Sequence, residues 1–168
     1  MSSRDFNREV LKYPEIVLRR KTRPVKVVDE DVLKLIRLMI DVMLKTHGVG
    51  LSANQIGQNL RIFVASPRLK REEVYVFINP RILNRSGAQT DQEGCLSVPG
   101  FNAFIKRYDK VTVEALDVDG KKFKIKTEGF MARIIQHEID HLNGKLLIQK
   151  LSYRERKKHL KSVLNKEI

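Results

Sequence analysis

Gly129-Phe-Met-Ala-Arg-Ile-Ile-Gln-His-Glu-Ile-Asp-His-Leu-Asn-Gly144 carries two patterns at once. Phe130, Ile134, His137 and His141 recur at helical spacing on one stripe, and Met131, Ile135 and Leu142 fill the neighbouring stripe. A helix apolar over so much of its circumference is expected to be buried, and Gly144 is a natural stop. The spacing thus predicts a central helix over 128–143. Just upstream, Val111–Asp117 alternates at period two, Asp119-Gly120 supplies turn chemistry, and Lys122–Lys126 alternates again, which predicts a hairpin. Two apolar, β-branched runs before it, Arg61–Ser66 and Val74–Asn79, are predicted strands, the second stopped by Pro80. Further upstream a helix is predicted over 29–46. Asp29 caps it, and Val32, Leu35, Ile36, Met39, Ile40 and Met43 form its stripe. Downstream, Ser152-Tyr-Arg-Glu155 is a capping box that opens a C-terminal helix over 152–168. Strands fill the middle and helices sit apart from them. The expected class is α+β, with antiparallel sheets packed around the buried central helix.

With 168 residues, no internal repeat and no linker, the chain is expected to form a single domain over 1–168. Its 42% apolar content suits a real core, and one cysteine forbids an intrachain disulfide. No run approaches the roughly 18 apolar residues of a spanning helix, and the first residues lack the apolar centre of a secretory signal. A cytoplasmic, membrane-free protein is expected. Lys and Arg total 33 against 20 acidic residues, a formal charge of +13, and residues 152–168 hold six of the cations against two Glu. Such a balance favours polyanions, nucleic acid above all.

His137-Glu138-Ile139-Asp140-His141 puts two imidazoles four residues apart on one helical face, with a carboxylate beside the first. That spacing can grip one metal ion, and Glu138 can reach a water held by it. Asp140 points off that face and is expected to be structural. Catalytic sites of this kind use three protein ligands and keep one position open. The candidate third ligands are Glu155, His159 and Glu167 downstream, His159 foremost among them, or Cys95 in Glu93-Gly-Cys-Leu-Ser97 upstream. A third feature, Gly48-Val-Gly-Leu-Ser-Ala-Asn-Gln55, follows a helix and precedes a strand, the wrong order for a nucleotide-binding loop. It suits a loop that lays its backbone along an extended ligand, with the Gln55 amide at its end.

Together these three motifs, in this order and rough spacing, resemble peptide deformylases of the bacterial type, and the resemblance runs end to end. Tyr13-Pro14, Pro24-Val25, Asn79-Pro80 and Gly129-Phe130-x-Ala132-Arg133 agree with it. Ser52 stands where the family usually has Ala, and Asn54 where Pro is frequent. The resemblance implies removal of the formyl group from the N-terminal formylmethionine of newly synthesised proteins. It implies a mononuclear site made by Cys95, His137 and His141, in preference to His159. Ferrous iron is the implied ion, with zinc, nickel or cobalt able to substitute. Glu138 is the implied general base and acid for a metal-held water, and the Gln55 amide and Leu96 backbone N–H the implied oxyanion donors. Val49, Phe130 and Ile134 would wall the methionine pocket, and Val49 and Gly50 would pair the substrate backbone. Neither Ser52 nor Asn54 is expected to react.

Two rival readings compete with this one. A metalloprotease would need a ligand downstream of His141. A basic nucleic-acid or ribosome-binding module would hold a structural metal with four ligands. Within the deformylase reading, the basic C-terminal helix is expected to dock through Tyr153, Leu160 and Leu164, with Arg154, Arg156, Lys157, Lys158, Lys161 and Lys166 either merely solvated or partly free to meet ribosomal RNA.

Overall fold

The computed structural model describes residues 9–164 and, at 159, 160 and 162–164, the backbone alone. The element order is α1 (Glu30–Lys45), β1 (Gly50–Ser52), β2 (Ile62–Ala65), β3 (Tyr75–Ser86), β4 (Gln89–Cys95), β5 (Val98–Arg107), β6 (Lys110–Leu116), β7 (Lys122–Glu128), α2 (Gly129–Leu142) and α3 (Tyr153–Leu164). Five strands form one antiparallel sheet in the order β1-β2-β3-β6-β7, and β4 pairs with β5 in a separate hairpin. The class is α+β, as expected.

The two long helices cover opposite faces of the larger sheet. Ile62 and Val64 pack with α1, whereas Phe63 and Ala65 pack with α2. That is why β2 is a continuous apolar run rather than an alternating one: both its faces are covered. Phe63 and Phe77 stack with ring centroids 4.4 Å apart beneath α2. Removing such a ring from a packed core typically costs about 3–5 kcal/mol. At the other extreme β7 alternates exposed and half-buried positions, because one of its faces meets solvent.

Both major helices begin and end where the sequence places them. The Asp29 side chain accepts a hydrogen bond from the Val32 N–H at 2.9 Å, capping α1. After α2, Gly144 takes φ +70°, and a Cβ there would lie 2.5 Å from the Arg19 carbonyl oxygen. Only glycine fits.

Three expectations change. Pro80 does not stop the second strand. Asn79 takes φ 52°, the register shifts between Ile78 and Arg81, and β3 resumes through Ser86. The bulge accommodates the residue that cannot donate. The hairpin partner β5 was not expected at all. In the tail, Ser152 and Glu155 do form the capping box, with the Ser152 N–H donating to Glu155 at 3.0 Å, but Tyr153 is 75% exposed and does not dock α3. The side chains of Leu160, Leu164 and His159, and all of Lys166, lie outside the described residues, as do residues 1–8, on which the expectation about a secretory signal falls. Among the described residues no helix is long and apolar enough to cross a membrane.

Candidate metal centre

Helix α2 and the β4–β5 hairpin come together where the two conspicuous motifs lie. Cys95, at the end of β4, meets His137 and His141 of α2, and the three ligand atoms lie within 4.8 Å of one another. The His141 Nε2 is 3.2 Å from the Cys95 Sγ and 3.2 Å from the His137 Nε2. One sulfur and two imidazole nitrogens converging on one point suit a divalent transition metal. Among the described residues the group numbers three, one fewer than a closed structural zinc site uses.

The local electrostatics agree with that fit. Burial alone would raise the Cys95 thiol, but the charges and hydrogen bonds of His141 and His137 outweigh it and hold the thiol well below its ordinary value. Burial likewise opposes charge on His137, yet hydrogen bonds to Cys95 and Glu93 push that imidazole up to about 10. A thiolate is the form in which cysteine ligates, and an arriving metal ion would displace the His137 proton.

Behind His137 stands a network that sequence reasoning missed. The buried Glu93 carboxylate accepts from Arg107 Nε at 2.5 Å and Nη2 at 2.8 Å, and from Arg133 Nη1 at 2.6 Å. It also lies 3.0 Å from His137 Nδ1. Burial would raise Glu93, but Arg107 and His137 overcome it and hold the carboxyl below the usual carboxylate range. A carboxylate on the far nitrogen orients a ligating imidazole. One signal was available: Glu93 and Cys95 are two apart on a strand and share a face. Asp140 proves structural, as expected, pairing with Arg107 at 2.8 Å and Lys150 at 3.0 Å.

Glu138 is buried beside the group. Its Oε2 accepts from the Ser52 hydroxyl at 2.7 Å. Burial pushes the carboxyl up, against the pull of His137, His141 and Ser52. Gly50 flanks the other oxygen: a Cβ there would lie 2.4 Å from Oε1. The Gln55 amide is aimed by its neighbours. Its Oε1 accepts from the Ser52 N–H at 2.9 Å, and its Nε2 donates to Ser97 Oγ at 3.1 Å, 4.0 Å from Cys95 Sγ. Both departures from the family pattern therefore touch α2, since Asn54 Nδ2 donates to the His141 carbonyl at 2.7 Å.

A cavity of about 540 Å³ opens over these residues. Val49, Gly50, Gln55, Cys95, Leu96, Phe130, Ile134, His137 and Glu138 all line it. His141, 1% exposed, lies outside that lining. Phe130, expected buried, is 52% exposed. β1 is an edge strand, paired with β2 on one side.

An HExxH helix whose imidazoles meet a cysteine from a separate hairpin defines a metal-dependent hydrolase. The sequence profile of the polypeptide deformylase family matches residues 7–157. A peptide deformylase of Thermodesulfovibrio yellowstonii is 44% identical over 146 residues, covering 86% of this chain and 88% of that protein. The crystal structure of a peptide deformylase from Legionella pneumophila superposes with a TM-score of 0.91 at 42% identity, covering 95% of this chain and 94% of that one. The peptide deformylase of Ehrlichia chaffeensis in complex with actinonin has a TM-score of 0.88 at 35% identity, covering 95% and 96%. The chain belongs to the polypeptide deformylase family, and it is an enzyme.

Proposed function

We propose that this enzyme removes the formyl group from the N-terminal formylmethionine of nascent polypeptides, as a single catalytic domain working in the cytoplasm. The observation that carries this reading is the convergence of Cys95, His137, His141 and Glu138 beneath one cavity. Cys95, His137 and His141 would hold one divalent ion, ferrous iron by preference, with zinc, nickel or cobalt able to replace it. When bound, the ion supplies Lewis acidity that brings water toward a pKa of about 7.

The chain's own groups do the rest. Oε1 of Glu138, the oxygen that Ser52 leaves free, takes the proton of the attacking water and later returns it to the leaving amine. A carboxyl raised by burial is a better proton acceptor near neutral pH. As the formyl carbon becomes tetrahedral, its oxygen accepts from the Gln55 amide and the Leu96 N–H. One such donor is typically worth about 100- to 1000-fold in rate. The free edge at Val49 and Gly50 pairs the peptide backbone, while Val49, Phe130 and Ile134 receive the methionine side chain.

Arg154, Lys157, Lys158 and Lys161 of α3 are exposed and would meet ribosomal RNA. Arg156 is half-buried and occupied with the Gln149 and Leu151 carbonyls. The test of the activity is anaerobic purification, metal analysis and a formyl-Met-peptide assay. One equivalent of iron with free amine released is expected. Metal-replete protein that leaves the formyl peptide intact overturns the proposal.

A further inference from the structure

The cavity that holds the candidate active site is electrically balanced: Lys12 and Arg133 line it with Glu93 and Glu138. A second cavity, of about 730 Å³, lies against the flank of α2 that carries Gln136, Asp140 and Asn143, and its charge is lopsided. Seven Lys and Arg line it against one carboxylate, Asp140. Arg81, Arg107 and Lys150 are already committed to Glu114, Glu93 and Asp140. Among the described residues, Arg61, Arg85, Lys106 and Lys145 have no carboxylate partner. Arg61 is the most telling of the four. Its half-buried guanidinium donates to the Pro80 carbonyl at 3.1 Å and to Asn143 Oδ1 at 3.0 Å, both neutral. Burial accordingly lowers its pKa. A cation half out of water among neutral acceptors gains when an anion arrives.

We infer that this cleft binds the phosphate backbone of single-stranded RNA. Four cations without a carboxylate partner exceed what one phosphate needs, and they suit a run of phosphates. Arg85 is shared with an adjoining groove lined by Lys126 and by Lys110, the latter paired with Glu128 at 3.3 Å. The Arg85 guanidinium lies 4.8 Å above the centre of the Tyr108 ring, and Tyr108 is 40% exposed. An arginine and an aromatic side chain at the edge of a basic groove offer a base a surface to stack on. An acidic peptide would use the cations and leave this platform idle. The site is distinct from the α3 tail, and its failure leaves the deformylation proposal standing.

Arg85, Lys106 and Lys145 are exposed, so their reversal spares the core. The probe is a fluorescein-labelled poly(U) oligonucleotide titrated into the full chain at several salt concentrations. The Arg85→Glu/Lys106→Glu/Lys145→Glu variant should bind at least about tenfold more weakly at low salt, and its log-log salt slope should flatten by about 2. Deformylation of a formyl-Met peptide by that variant should be unchanged. A Lys157→Glu/Lys158→Glu/Lys161→Glu variant should keep the binding that belongs to the cleft. Wild-type affinity and slope in the cleft variant would overturn the inference. Equal competition by poly-glutamate, or displacement by inorganic phosphate at constant ionic strength, would overturn it as well.

Discussion

The Ser52 hydroxyl donates to one oxygen of the Glu138 carboxylate at 2.7 Å, while Gly50 stands against the other. The carboxylate is thus held by a donor on one side and given room on the other. Replacing Ser52 with Ala removes a hydrogen bond that lowers the Glu138 carboxyl, so the acidic limb of the kcat profile should move to higher pH. KM and metal content should be unchanged. Gly50→Ala should do far more, because its Cβ would force Glu138 out of place. Steady-state kinetics on metal-replete protein check both, and a Gly50→Ala enzyme with wild-type kcat refutes this geometry.

Glu138→Gln should abolish deformylation while the metal stays bound. The amide keeps the shape of the carboxylate but cannot accept the proton of water. Substantial turnover by the metal-replete variant would remove Glu138 from its role.

Glu93→Gln removes the charge that balances Arg107 and Arg133 in the interior. Breaking a buried pair in this way costs about 3–5 kcal/mol, and loosening His137 should weaken metal affinity about 10- to 100-fold. Chemical denaturation and metal titration read the two effects separately. An undisturbed unfolding midpoint would mean that the network is ornamental.

Cys95→Ser should release the metal, whereas His159→Ala should retain it. In air the iron form should lose activity while nickel or cobalt forms persist, because a thiolate-ligated ferrous ion exposes Cys95 to oxidation. Metal analysis of the two variants and timed assays in air are the measurements. Metal loss in His159→Ala, or equal stability of the iron and nickel forms, would count against this ligand set.

Deleting residues 153–168 should weaken ribosome co-sedimentation between low and moderate salt and spare deformylation of a short peptide. Sedimentation equal to that of the intact chain would leave the tail's charges merely solvated.

The helices were legible because their signals are local. Asp29 caps α1 at its own N-terminus, and the α2 stripe repeats within its own segment. Ligand convergence was legible only through the resemblance, since spacing along the chain left Cys95 and His159 both open. What stayed hidden depends on partners distant in sequence. Strand β3 passes Pro80 because Asn79 turns aside, its side chain bonding the Val25 N–H and carbonyl at 2.8 Å each. Residues Val98–Arg107 begin with Pro99-Gly100, the mark of a turn, and become a strand through pairing with β4. The Glu93 network joins residues of the hairpin and α2 that no short motif links, and the role of Ser52 exists only because Glu138 lies 86 residues away.

Cys95 and His141 are separated by 46 residues, so the order of synthesis leaves an interval between them. At about 5–20 residues per second, the thiol exists for some seconds before the helix that covers it has been made. During that interval no imidazole pair is present to claim the sulfur, and an oxidant can reach it first. A molecule whose sulfur is carried to the sulfinic or sulfonic stage then would fold around a group that no longer ligates. Inactive copies of this enzyme in an oxidatively stressed cell would therefore arise at birth as well as with age, and a pulse of labelled synthesis under peroxide would separate the two populations.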